Sequence, residues 1–457
     1  MVEQRRLFGT NGIRGVVNKD LTAKFALEIG QSIGTIFNNG RILLGRDGRS
    51  SGMLLSSAVA SGLMAAGCSV YDVDMIPTPA LQYVTKTWRF DGGVVITASH
   101  NPPEYNGIKV MDADGIEIPS EKEIEIEETY YERRWKIAGW ESIGKMNVKT
   151  GAIQDYKDAI KRHVDREKIE RAKLKVVIDP ANSVGALVSP SLLSELGCKV
   201  YTVNANIDGS FPGRNPEPTL ESLGALCEAV RASESNLGIA YDGDADRAIF
   251  VDETGEPHWG DKSFGIVEKF FLAENPGERV VTPVSSSQMV EEIAEKYDGK
   301  VVWTKVGSTI VSRKMLEVNA KLGGEENGGI FYGPHLAVRD GAMTSALIVE
   351  ILAKTKKKFS KLVKELPTYY IHKDRVQCPN QVKQKVLEKL LKETSEYRVE
   401  TVDGVKIWFP DESWILIRPS GTEPIYRLYS EAKTRSKTMN LISKYKSNLK
   451  RLIKNTL

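Results

Sequence analysis

Arg41-Ile-Leu-Leu-Gly-Arg-Asp47 is an apolar run that stops in a polar loop, and its reading decides the fold. A stretch of helical apolar period follows, and then a second run, Gly67-Cys-Ser-Val-Tyr-Asp-Val73. The pattern returns at Lys175-Val-Val-Ile-Asp179 with Gly197-Cys-Lys-Val-Tyr-Thr-Val203. It returns again at Arg279-Val-Val-Thr-Pro-Val284 with Gly299-Lys-Val-Val-Trp-Thr304. Strand, helix and strand within about thirty residues is the length of a parallel βαβ unit with a right-handed crossover. The copies start at residues 41, 175 and 279. That spacing is domain-sized and far beyond the roughly 20–50 residue period of a solenoid. It predicts three similar mixed α/β domains in series.

The rest of the chain reads differently. Residues 381–394 form an amphipathic helix with Val382, Val386, Leu387, Leu390 and Leu391 on one face. Short strands follow at 397–402, 405–409 and 413–417, with turn signals at Asp403-Gly404 and Pro410-Asp411. Ser436 is expected to cap a last helix with the apolar face Met439, Ile442, Tyr445, Leu449 and Leu452. This is a C-terminal α+β domain. Joints fall near 145–150 and at Leu366-Pro367, which gives domains 1–150, 151–254, 255–366 and 367–457.

Composition agrees. A chain of 457 residues holds three or four domains at about 150 residues each. With 41% hydrophobic and 27% charged residues it has the balance of a soluble globular protein. No apolar run approaches the roughly 18 residues of a membrane span. Met1-Val-Glu-Gln-Arg-Arg6 has no apolar core after its charges, so no secretory leader is expected. Lys plus Arg is 63 against 60 for Asp plus Glu, too small an excess to argue for a nucleic-acid partner. Lys356-Lys357-Lys358 is expected on a solvated helix face. The cysteines, Cys68, Cys198, Cys227 and Cys378, form no CxxC pair. They read as reduced thiols of a cytoplasmic protein, Cys68 and Cys198 as small core residues.

Four polar loops carry the chemistry, about one per domain. Thr97-Ala-Ser-His-Asn-Pro102 follows the strand Gly93-Val-Val-Ile96, so Ser99 and His100 sit where open α/β sheets bind ligands. The plain alternative is an Asn-Pro turn. Asp242-Gly-Asp-Ala-Asp-Arg247 alternates carboxylates, hard oxygen ligands that suit Mg²⁺ or Ca²⁺. With Glu253 at the twelfth position it nearly matches a calcium-binding helix-loop-helix. Arg247 at the sixth position and strand-like flanks instead favour a strand-loop-strand metal site. A solvated acidic turn is the plain alternative. Gly323-Gly-Glu-Glu-Asn-Gly-Gly329 offers a permissive backbone with groups that bond hydroxyls, or is a flexible turn. Arg418-Pro-Ser-Gly-Thr-Glu-Pro424 has a guanidinium fork, hydroxyls and free backbone N–H groups, the chemistry of phosphate binding. It too could be a plain turn. No nucleotide-triphosphate loop is found.

These loops, in this order, resemble the α-D-phosphohexomutase family, from Phe8-Gly-Thr-Asn-Gly-Ile-Arg-Gly15 to 418–424. Phosphomannomutase/phosphoglucomutase and phosphoglucosamine mutase are the most similar members. The resemblance implies four domains around a central cleft. It implies that Ser99 carries a transferable phosphate and that Asp242, Asp244 and Asp246, with phosphorylated Ser99, hold Mg²⁺. Lys109 and His100 match residues proposed for proton transfer, and Arg247 the arginine beside the metal. Arg14, Arg46 and Lys305 match positions around the cleft. Glu325 and Asn327 lie in the sugar-recognition loop. Arg418, Ser420, Gly421 and Thr422 match the site for the non-reacting phosphate.

The implied reaction is reversible transfer between hexose 1-phosphate and hexose 6-phosphate, of mannose or glucose, with a hexose 1,6-bisphosphate as intermediate and activator. Phosphoglucosamine mutase is the alternative, and a phosphoserine-type sugar phosphatase ranks behind both. The partners are small-molecule sugar phosphates, with neither nucleic acid nor membrane, and a homodimer is compatible with the reading. The family's sugar loop commonly reads Gly-Glu-x-Ser-Gly-His, whereas here Asn327 and Gly329 replace the serine and the histidine. A loop reading O3 and O4 is expected to ignore C2 and to disfavour a C4 epimer.

Overall fold

The computed structural model describes residues 7–9, 11–421 and 423–457. Each repeat forms its own sheet. Arg41–Arg46 pairs in parallel with Ser69–Met75 and Gly92–Ile96. Lys175–Asp179 does the same with Lys199–Thr202 and Leu237–Tyr241. Arg279–Pro283 does so with Lys300–Thr304 and Leu322–Gly324. In every copy the third parallel strand then pairs antiparallel with the next strand: Tyr105–Asp112, Ala248–Asp252 or Ile330–Tyr332. The loops at 97–102, 242–247 and 325–329 therefore occupy one topological place, the tip of that hairpin.

The shared place follows from burial. Gly92–Ile96 and Leu237–Tyr241 are buried along their whole length. Such central strands read as unbroken apolar runs, and their polar residues collect where the chain leaves the sheet. Met146–Val148 still belongs to the first sheet, paired in parallel with Ser69–Met75. One apolar core runs through the first three units, from Leu43 through Tyr156 and Tyr241 to Met343 and Leu366.

The last unit is an antiparallel sheet in the order Tyr370–Gln377, Ile425–Ala432, Trp414–Pro419, Val405–Trp408, Arg398–Glu400. Helices Asn380–Glu393 and Arg435–Lys454 cover a separate core that contains Val386, Leu390, Ile442, Tyr445 and Leu449. The cap of the last helix is Thr434, not Ser436: the Thr434 side chain accepts from the Lys437 N–H. Met439 is 45% exposed, because the buried stripe runs from Thr438 to Leu441 and Ile442 and turns position 439 outward. Lys356–Lys358 are exposed in the loop between helices Gly341–Thr355 and Phe359–Lys364, not on a helix face. A small aromatic cluster, Trp414 and Tyr429 with Trp303 and Trp408, joins this unit to the third sheet.

All four cysteines are free and buried, and burial pushes the Cys198 thiol up to about 12. Among the described residues no helix is long and apolar enough to cross a membrane.

Candidate active site

The loop after Gly92–Ile96 is held by a buried scaffold. Asp47 accepts from the Thr97 hydroxyl at 2.6 Å and from Arg49 Nε at 3.1 Å. The Arg49 guanidinium then donates to four loop carbonyls: Pro102, Tyr105, Ser99 and Asn101, at 2.6 to 2.9 Å. Ser99 sits at φ 51°, a left-handed conformation that costs a non-glycine residue about 1–2 kcal/mol. The carbonyl grip of Arg49 offsets that cost and presents the Ser99 hydroxyl to the second unit.

There Ser99 Oγ donates to Asp242 Oδ2 at 2.7 Å, across the boundary between the first two sheets. The strand-loop-strand hairpin carries Asp242, Asp244 and Asp246, all buried, with one ligand atom of each within 4.8 Å of the others. Asp244 Oδ1 and Asp246 Oδ1 have no hydrogen-bond partner among the described residues. Buried, unpaired carboxylate oxygens are costly unless a cation meets them. Burial, and after it Asp246 and Asp244, pushes the Asp242 carboxyl well above its ordinary value. Asp244 goes the other way. Burial alone would raise it, but Lys109, then Thr78, hold it as a carboxylate. Glu253, the twelfth residue of the loop, accepts instead from Ser360 Oγ at 2.5 Å, so it takes no part in a calcium loop.

Lys109 is 1% exposed and donates to Asp244 Oδ2 at 2.8 Å, with Asp246 Oδ2 at 3.6 Å. Burial would lower its pKa, and Asp244 followed by Asp246 raise it instead. Arg247 Nη2 lies 3.3 Å from Ser99 Oγ and also faces His100 Nδ1, while Nη1 pairs with Glu217 at 3.2 Å. Burial, then the Arg247 charge, keeps the His100 imidazole neutral. Arg14 donates to Asn101 Oδ1 at 2.6 Å and lies beside the same loop.

The loop at 325–329 reaches this cluster through Arg339, and the Ala248 N–H of the aspartate hairpin donates to Gly328 O at 3.2 Å. Arg339 donates to Asp246 Oδ2 at 2.5 Å and to Glu325 Oε2 at 3.2 Å. Asn327 Oδ1 accepts from Gly329 N at 3.1 Å and closes the loop on itself. In the last unit, Arg418 Nε donates to Asp403 Oδ2 at 2.5 Å. The same oxygen accepts from Val306 N, 3.0 Å away in the Lys305-Val306-Gly307 loop. Ser420 Oγ accepts from Glu423 N at 3.1 Å, and Gly421 is exposed. Thr422 lies outside the described residues.

Two expected site residues make no hydrogen bond to the aspartate cluster among the described residues. Arg46 donates to Asp74 Oδ1 at 2.6 Å on the neighbouring strand. Lys305 is exposed, and among the described residues its ammonium has no ion-pair or hydrogen-bond partner. The sequence shows Arg49 as the second arginine of the Arg46-Asp47-Gly48-Arg49 motif without giving it a role, and the sequence reading missed Arg339 and Lys383. Lys383 Nζ donates to the carbonyls of Ser420 and Glu423, each at 2.6 Å, and so braces the loop at 418–424. Its signal was legible, because position 383 lies on the apolar face with Val386 and Leu390.

The chain matches known proteins over nearly its whole length. Residues 5–136, 154–255 and 259–370 match alpha/beta/alpha domains I, II and III of phosphoglucomutase/phosphomannomutase. Residues 375–444 match the C-terminal domain of the same proteins. A phosphoglucosamine/phosphogalactosamine mutase of Sulfurisphaera tokodaii is 48% identical over 96% of this chain and 98% of its own. A phosphoglucomutase/phosphomannomutase of Thermococcus kodakarensis is 47% identical over 94% of this chain and 96% of its own. Among solved structures, a phosphoglucomutase/phosphomannomutase family protein from Burkholderia thailandensis superposes with a TM-score of 0.86 at 28% identity. That match covers 99% of this chain and 98% of the other.

Proposed function

The chain belongs to the phosphoglucomutase/phosphomannomutase family and is a phosphohexomutase, and from that premise we propose how its residues move the phosphoryl group. Phosphorylated Ser99 gives its phosphoryl group to the free hydroxyl of a hexose phosphate, which yields a hexose 1,6-bisphosphate and a bare serine. The bisphosphate turns over and returns its other phosphoryl group to Ser99. The observation that carries this reading is the 2.7 Å contact of Ser99 Oγ with Asp242 at the edge of three buried aspartates.

The donor set fits Mg²⁺: carboxylate oxygens only, buried, two of them without a hydrogen-bond partner among the described residues. A Mg²⁺ ion held by Asp242, Asp244, Asp246 and the phosphoserine would neutralise charge as the O–P bond loosens. Arg247, beside Ser99 Oγ, covers the same charge from the protein side. Phosphoryl transfer is mostly positioning and electrostatics, so these buried cations are its main tools. His100 Nδ1 lies 3.3 Å from Ser99 Oγ and Lys109 is bonded to Asp244; one of them takes the proton of the attacking sugar hydroxyl, Lys109 only after giving up its own. Arg418 binds the phosphate that is not reacting, with Nε fixed on Asp403 and the two terminal nitrogens left to donate to it. A hexose 1,6-bisphosphate is the activator, because it rephosphorylates a bare Ser99.

Two sugar classes stand level. The relatives of 48% and 47% identity are named for amino-sugar phosphates and for glucose and mannose phosphates. The first name includes galactosamine, so the C4 rejection expected from the loop becomes a quantity to measure. Sugar phosphates are the proposed partners, the cytoplasm the proposed compartment and a homodimer the assembly for light scattering to test. The test of function is a coupled assay with Mg²⁺ and glucose 1,6-bisphosphate on mannose, glucose, glucosamine and galactose phosphates. Turnover of at least one 1-phosphate to its 6-phosphate is expected. Release of inorganic phosphate in place of isomerisation would make the enzyme a phosphatase.

A further inference from the structure

The metal loop and the sugar loop come from different sheets, and the Arg339 guanidinium joins them. Arg339 ends the strand Leu336–Arg339 and is buried. One arm holds Asp246 Oδ2 and leaves Oδ1 without a hydrogen bond, while the other holds Glu325 Oε2. Glu325 is buried as well, so without this arm its charge would stand desolvated.

Position 329 explains how the arginine gets there. A Cβ on Gly329 would stand 2.4 Å from Arg339 Cδ and 2.8 Å from its Cγ. Carbon atoms do not approach that closely without cost. The Gly329 backbone is not left-handed, so the glycine serves space, not dihedral freedom. The missing side chain at 329 and the stem of Arg339 are one packing unit.

We infer that Arg339 is a positioning residue that fixes Glu325 as an ionised acceptor for the sugar and offsets the negative charge of the metal loop. The sugar half rests on the mutase reading, and the metal half rests on the charge geometry alone. Two consequences run in opposite directions. Removing a guanidinium from beside Asp246 leaves the three aspartates more negative, so a divalent cation binds more tightly. Removing it from beside Glu325 leaves the sugar loop without its fixed acceptor, so a hexose phosphate binds more weakly. A lysine keeps the charge but cannot span two carboxylates as a planar fork does.

Calorimetric titration of Mg²⁺, and separately of glucose 1-phosphate, tests this on the whole protein. Arg339→Ala is expected to bind Mg²⁺ at least about threefold more tightly and glucose 1-phosphate at least about tenfold more weakly. Arg339→Lys should keep the Mg²⁺ affinity and lose the sugar-phosphate affinity. Gly329→Ala should weaken sugar-phosphate binding alone and add nothing in the Arg339→Ala background. A side chain that merely supports the fold would weaken both ligands together. Weaker Mg²⁺ binding or unchanged glucose 1-phosphate binding in Arg339→Ala overturns the inference. If that variant does not fold, unchanged glucose 1-phosphate binding in Arg339→Lys overturns it. Wild-type protein that binds no hexose phosphate refutes the mutase reading instead, and the Mg²⁺ comparison still decides the role of Arg339.

Discussion

Arg49→Lys should cripple turnover although the residue touches no substrate. Arg49 is 1% exposed, and its guanidinium bonds four carbonyls of the loop that carries Ser99. A lysine ammonium has three N–H donors, so of the five side-chain bonds of Arg49, the one to Asp47 included, at least two are lost. Each lost hydrogen bond to a charged donor is worth roughly 1.5–3 kcal/mol, so two cost at least about 3 kcal/mol. Those bonds also hold Ser99 at φ 51°, a conformation the free chain would leave by about 1–2 kcal/mol. Taking only the lower figure, the populated loop conformation and kcat should fall about 100-fold. The coupled mutase assay measures this, with the thermal midpoint recorded beside it. A variant within about threefold of wild-type kcat would refute the assignment of Arg49 as the scaffold of the phosphoserine loop.

Three other outcomes follow from the same geometry. Asp244→Asn leaves Lys109 and Thr78 without their carboxylate, so Mg²⁺-dependent turnover should fall at least about 100-fold; full activity would remove Asp244 from the metal set. Arg418→Lys loses the fork that Asp403 orients, and KM for every hexose phosphate should rise about 10- to 150-fold, which initial-rate kinetics would show. Glu268 is buried in the helix Gly260–Glu274, neither of its carboxylate oxygens has a partner among the described residues, and burial pushes its carboxyl well above the ordinary 4.5. Its folded state holds the proton better than the unfolded chain does, so its contribution is present below about pH 4.5 and lost as pH rises. Glu268→Gln should therefore raise the unfolding midpoint at pH 8, with the gain vanishing toward pH 4.5 in a thermal melt series; equal shifts at both pH values would contradict this.

The repeats were legible because parallel strands are buried on both faces and leave unbroken apolar runs, as at Arg41–Arg46 and Lys175–Asp179. The loops were legible because such strands release their polar residues at one end. What stayed hidden depends on long-range approach. Arg49 and Arg46 lie on one short motif, yet only the folded chain shows that Arg49 turns inward and Arg46 pairs with Asp74. Arg339 looked like an ordinary strand end, and its partners lie 93 and 14 residues away in sequence. Thr434 and Ser436 are both good caps by type, and the backbone at 434 decided between them.

The central claim is that Ser99 carries the phosphoryl group between the two positions of the sugar. Mass spectrometry of the peptide containing Ser99 tests it most directly, before and after incubation with glucose 1,6-bisphosphate and Mg²⁺, and again after a chase with unphosphorylated-at-C6 glucose 1-phosphate. One phosphate is expected on Ser99 after the first step and, when the chasing glucose 1-phosphate carries ¹⁸O in its phosphate, replacement of that phosphate on Ser99 by the ¹⁸O-labelled one as glucose 6-phosphate forms, with Ser99→Ala inert in both. Sustained isomerisation by a protein whose Ser99 never carries phosphate would contradict it.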